Sequence, residues 1–285
     1  MSSNKKGMVI EMKNNLRQYT DDKILIAAHR GSWGANLVPN TCAAFENALR
    51  QGAAILEMDL AKSADGEIFI FHTGTEPRYL GEGIDITRLT GKQIRELRMI
   101  NCDGNATDWR VNTFEEVLEL TKGRCILNLD RCGDFFDDVA PLIRRHGMEN
   151  QILMKSAPTK EGIARIENSQ AANCMYLPIL KETKAGWDLV KNSRLNLVGA
   201  EIVFATENAP ILAENFVEEL HSMGLEAWGN SLVYSYKEPL SAGHNDDISL
   251  SEDPEKGWGW LVDHKFDIIQ TDWPGELARF LAGRK

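Results

Sequence analysis

The stretch LEMDLAKSADGEIFIFHTG, residues 56–74, sets two acids and a histidine around an Asp-Gly turn. Asp65-Gly66 is a strong hairpin signal, because both residues tolerate positive φ. Folding about that pair places Ser63 opposite Ile68 and Asp59 opposite His72. The side-chain period of two also puts Glu57 and Asp59 on one face of their strand. Two carboxylates and an imidazole then gather at one spot, an arrangement suited to holding a cation beside an acid–base group.

Outward from this hairpin, short β-branched runs alternate with helical stretches. The runs number nine, from ILIAAHRG (24–31) to FDIIQTDWPG (266–275). EIFIF reads as the returning arm of the hairpin, which leaves eight. Eight β-then-α units predict a parallel sheet closed into a TIM (β/α)8 barrel, with a hairpin extending strand 2. Helices are expected in NTCAAFENALRQG, TFEEVLELTKG, DFFDDVAPLIRRHGM and PILAENFVEELHSMG. Residues 73–111 are turn-rich and read as a small insertion over the C-terminal mouth. Residues 235–257 read as a polar, acid-rich loop. Met8, Val9, Met12 and Leu16 suggest that residues 1–22 form an arm or helix closing one end. The expectation is one domain spanning 1–285.

With 285 residues and 43% hydrophobic content, the chain can bury a large core. Its net charge of −10 and acidic pI argue against a nucleic-acid partner. Five cysteines lie scattered without zinc-ligand spacing, as in a reduced, cytoplasmic protein. No integral membrane segment is expected, since no apolar run is long enough. The sequence does not fix an oligomeric state.

In such a barrel the strand C-termini share one face, where sites are built. The ionisable residues at those ends are His29, Arg30, Glu57, Asp59, Asp130, Lys155, Glu201 and Asp272, with His72 from the hairpin. Any one alone has an ordinary role as a helix cap or loop ion pair. Their convergence points to a site.

The ordered series HRG, VPNTCAAFENAL, LEMDL, SADGEIFIFHTG, LNLDRC and IIQTDWPGEL resembles the glycerophosphodiester phosphodiesterase family. The resemblance runs from His29 to Pro274. It implies that Glu57, Asp59 and Asp130 bind one divalent cation, and three hard oxygen ligands suit Mg²⁺ or Ca²⁺. It implies that His29 and His72 form the acid–base pair and that Arg30 meets the substrate phosphate. Lys155 is a second candidate for the phosphate. Trp33, Glu201 and Trp273 are candidates for the pocket wall. The implied partner is a small-molecule glycerophosphodiester, hydrolysed to glycerol 3-phosphate and an alcohol. The alternatives are a related phosphodiester or lipid head-group hydrolase on the same barrel, and a binding module without turnover.

Several positions depart from the family pattern. Val38-Pro39-Asn40-Thr41 lacks the family's acid, and its Asn-Thr is expected to cap the next helix. The third carboxylate is Asp130 where the family usually carries Glu. The family lysine two residues later falls on Cys132, because strand alternation turns Arg131 the other way. Cys132 is read as a small buried filler. These changes mark a divergent branch.

Overall fold

The computed structural model describes residues 14–17, 23–170 and 172–284. The described residues form ten strands: β1 (Leu25–His29), β2 (Ile55–Lys62), β3 (Ile68–Ile70), β4 (Ile126–Asp130), β5 (Ile152–Ser156), β6 (Met175–Lys181), β7 (Asn196–Leu197), β8 (Gly199–Val203), β9 (Glu226–Asn230) and β10 (Ile268–Thr271). Eight of them, β1, β2, β4, β5, β6, β8, β9 and β10, pair in parallel, and β1 pairs with both β10 and β2 to close the ring. The expected (β/α)8 barrel is therefore present, with β7 a two-residue extra pairing along β6.

Strand alternation explains how the barrel carries a site at one end. Inward positions near the strand starts are apolar: Leu25, Ile55, Ile126, Leu153, Met175 and Ile268 form one buried cluster. Further along the same faces stand Glu57, Asp59, Asn128, Asp130, Lys155, Glu201 and Asn230. The outward residues, such as Ile26, Leu56, Leu127 and Ile269, pack under the helices in the larger core. Leu16, in a short 3-10 turn, joins the inner cluster at its base. Met8, Val9 and Met12 lie outside the described residues.

β2 runs past the barrel. Asp59 is its last residue paired with β4, and from Leu60 it pairs antiparallel with β3. The hairpin register differs by one residue from the expectation. Lys62 faces Ile68 and Leu60 faces Ile70, and Phe71 N donates to Asp59 O. The loop has three residues, Ala64-Asp65-Gly66, with Gly66 in the left-handed region at φ +91°. That is the three-residue hairpin with a bulge, not a two-residue turn. His72 therefore sits beyond the paired strand and not across from Asp59.

Residues 73–111 contain helices Glu76–Tyr79 and Gly91–Glu96 and a 3-10 turn. They build a separate apolar cluster of Tyr79, Leu80, Ile86, Ile94 and Met99 on Phe69 and Phe71 of the hairpin. The stretch PILAENFVEELHSMG is not one helix. Pro210–Ala213 and Phe216–Ser222 are separated by Asn215, at φ +52°. The acid-rich loop contains helix Asp246–Ser251. No helix among the described residues is long and apolar enough to cross a membrane.

Candidate active site

Parallel register sets His29 level with Glu57, and Asp59 level with Asp130. The carboxylates of Glu57, Asp59 and Asp130 offer oxygens all within 4.8 Å of one another. Each has one oxygen engaged. Glu57 Oε2 accepts from Arg30 N at 3.0 Å, Asp59 Oδ2 from Asn40 Nδ2 at 2.9 Å, and Asp130 Oδ1 from Arg131 N at 2.8 Å. Among the described residues the second oxygen of each has no hydrogen-bond donor, so three neighbouring acceptors remain for a cation. Burial and the charges of Asp59 and Asp130 push the Glu57 carboxyl well above the usual range, against Lys155 and Arg30. Three crowded carboxylates that favour a positive charge, with free hard oxygens, fit Mg²⁺ or Ca²⁺.

Asn40 has a role that the sequence reading missed. Thr41 alone caps helix Cys42–Arg50, its Oγ1 accepting from Ala44 N. Asn40, at φ +58°, is buried and grips Asp59 through both Nδ2 and Oδ1. Arg30 Nε lies 2.9 Å from Asp59 Oδ2. Burial works against the Arg30 charge, but Asp59 and Glu57 outweigh it and raise its pKa.

The two imidazoles are held differently. His29 Nδ1 donates to Asp272 Oδ1 at 2.7 Å, which leaves Nε2 to accept from the Tyr234 hydroxyl at 2.9 Å. His72 Nε2 stands 3.9 Å from Asp59 Oδ1 and accepts from Arg131 Nη1 at 3.2 Å. An arginine only donates, so the His72 proton resides on Nδ1. Burial lowers the His72 pKa, with Arg30 and Arg131 adding to it and Asp59 opposing.

The family model described as the glycerophosphoryl diester phosphodiesterase family matches residues 29–197, well over half of the sequence. The chain belongs to the glycerophosphoryl diester phosphodiesterase family. As a member it is a phosphoric diester hydrolase. A second model, described as a domain of unknown function, matches residues 176–281. A glycerophosphodiester phosphodiesterase of Arabidopsis thaliana is 25% identical over 268 residues, covering 86% of this chain and 76% of that protein. One from Caldanaerobacter subterraneus is 35% identical over 100 residues, 34% of this chain and 40% of that one. The fold matches the crystal structure of a glycerophosphoryl diester phosphodiesterase from Parabacteroides distasonis at TM-score 0.78 and 23% identity, over 97% and 92% of the two chains. It also matches an Oleispira antarctica phosphodiesterase in complex with the product sn-glycerol-3-phosphate, at TM-score 0.63 and 16% identity, over 91% and 96%.

Other expected positions within this phosphodiesterase barrel are placed as follows. Lys155 is buried, its Nζ 2.8 Å from Glu201 Oε2 and 4.2 Å from the Trp228 ring centroid. Lys155, a candidate for the phosphate, and Glu201, a candidate for the pocket wall, are thus paired with each other at the inner face of the barrel. Trp33 and Trp273 flank a groove of about 360 Å³ that also touches Asp272. Cys132 is buried among the outer-core residues, and burial pushes its thiol up to about 12. Arg131, expected to point away, instead reaches over the mouth. Its φ of +60° breaks the alternation after Asp130. Tyr234 gave no signal in the sequence, being remote from His29 and in a loop without a motif.

Proposed function

We propose that the chain hydrolyses glycerophosphodiesters to glycerol 3-phosphate and an alcohol with the help of one divalent cation. The observation that carries this reading is the cluster of Glu57, Asp59 and Asp130, with oxygens within 4.8 Å, beside two imidazoles. The Oleispira antarctica protein of the same fold, complexed with sn-glycerol-3-phosphate, supports the substrate class.

Glu57, Asp59 and Asp130 would hold the cation, which when bound supplies Lewis-acid stabilisation of a phosphate oxygen. Arg30 lies across Asp59 and turns a permanent charge toward the same place. Asp272 fixes the His29 ring and balances the charge that its imidazole carries when protonated. The glycerol hydroxyl next to the phosphate attacks phosphorus as one imidazole takes its proton and the other protonates the leaving alcohol. Water then opens the cyclic phosphate to glycerol 3-phosphate, with the two imidazoles in exchanged roles.

The test is release of glycerol 3-phosphate from glycerophosphocholine and glycerophosphoethanolamine, with EDTA and then with Mg²⁺ or Ca²⁺ restored. Release that stops with EDTA and returns with metal is expected. Release unaffected by EDTA would remove the cation from the reaction, and no release with either metal would remove the substrate class.

A further inference from the structure

A phosphodiester is an anion, and a site built on three carboxylates must supply positive charge for it. Three cations surround the cluster. Arg30 is 2.9 Å from Asp59, and Lys155 is 2.8 Å from Glu201 inside the barrel. Arg131 differs from both. Its guanidinium contacts only neutral acceptors: His72 Nε2 at 3.2 Å, Thr73 O at 3.3 Å and Thr73 Oγ1 at 3.1 Å. Among the described residues no carboxylate lies in ion-pair reach of it, and its side chain is exposed at the mouth.

The backbone supports the same conclusion. Arg131 adopts φ +60°, a conformation costing a non-glycine residue about 1 kcal/mol or more. That turn sends Cys132 into the outer core and brings the Arg131 side chain back over the site. Strain held at a strand end beside a metal-type cluster marks a functional position more than a packing one.

We infer that Arg131 is a phosphate-binding residue, resting on the reading of the site as a phosphodiesterase centre. Its guanidinium rests on His72 Nε2, the atom that must face an oxygen of the diester. When substrate enters, the phosphate oxygens replace the imidazole as acceptors, Arg131 grips them through its planar fork, and His72 Nε2 is released for proton transfer. A guanidinium from the loop after β4 thus takes the place of the lysine absent at Cys132.

The experiment is calorimetric titration of inorganic phosphate into the Mg²⁺-loaded protein, for wild type, Arg131→Met and Arg131→Lys. Charge-assisted hydrogen bonds of this kind predict a loss of roughly 10- to 100-fold in affinity for Arg131→Met, with Arg131→Lys between. The His72 ring nitrogens, followed by NMR, should lose the Nε2 acceptor signature in Arg131→Met even without phosphate. Equal phosphate affinity in wild type and Arg131→Met overturns the inference, as does failure of wild type to bind phosphate. If phosphate affinity depends on Arg131 but glycerophosphodiesters are not cleaved, the substrate reading fails and this inference stands.

Discussion

Asp246→Asn tests the buried polar anchor beneath the site. Asp246 is 2% exposed, and four donors converge on it. Ser231 Oγ, Trp258 Nε1 and Thr271 Oγ1 reach Oδ1 at 2.6, 2.7 and 2.8 Å, and Asp272 N reaches Oδ2 at 2.9 Å. Burial nevertheless outweighs the donors and pushes the carboxyl from 3.8 up to about 7. A protonated Asp246 has an acceptor in Ser231 Oγ, whose own proton then goes to Gln270 O at 2.9 Å. Between pH 3.8 and 7 the native protein keeps a proton that the unfolded chain has released, so stability falls as pH rises. The full effect is about 4 kcal/mol. In Asp246→Asn the amide oxygen serves the three donors on Oδ1, and the amide nitrogen faces Asp272 N, at a fixed cost of about 1–3 kcal/mol. The variant should therefore be weaker than wild type near pH 4 and equal or stronger near pH 8. Urea midpoints at five pH values between 4 and 8 measure the difference, in which other titrating groups cancel. A wild-type-minus-variant difference that stays flat across that range would show an anion already held by its donors, and the argument would be wrong.

His72→Ala should lower turnover by roughly 10²- to 10⁴-fold while calorimetric Mg²⁺ affinity holds, because His72 makes no hydrogen bond to Asp59 at 3.9 Å. Unchanged turnover would take His72 out of the reaction. Asn40→Ala removes the two hydrogen bonds that Asn40 makes to Asp59, so Mg²⁺ affinity should fall roughly 10- to 100-fold. Intact affinity would mean that Arg30 alone aligns the carboxylate. Gly31→Ala places a Cβ 2.7 Å from Ala44 C and 2.8 Å from Ala44 O, at φ +84°. Helix Cys42–Arg50 must then shift, and denaturant unfolding should show a loss of at least about 2 kcal/mol. A variant as stable as wild type would mean the helix moves freely.

The barrel was legible because period two holds along every strand that forms it. Ile55, Glu57 and Asp59 all point inward as alternation requires, and the same rule brings Asp130 level with Asp59. What the sequence hid lies where the chain leaves the strands. Arg30, Arg131 and Glu182 follow directly on β1, β4 and β6, and all three take left-handed φ values of 57–60°. Such a residue ends the alternation, so a face assigned by counting is no longer the face observed. Arg131 and Cys132 exchange their expected directions for that reason. Asn40, also left-handed, looks like a helix cap until its partner Asp59 is known. The hairpin slipped by one residue through the same cause, since Gly66 at φ +91° adds a bulge that a two-residue turn would lack. Asp246 and Tyr234 are hidden differently. An acid in an acid-rich loop reads as solvated, and its donors come from residues distant in sequence at the ends of β9 and β10 together with Trp258. Arg30, Asn40 and Arg131 therefore take left-handed backbone at the mouth, where the chain must aim side chains back across the barrel and regular alternation cannot do so.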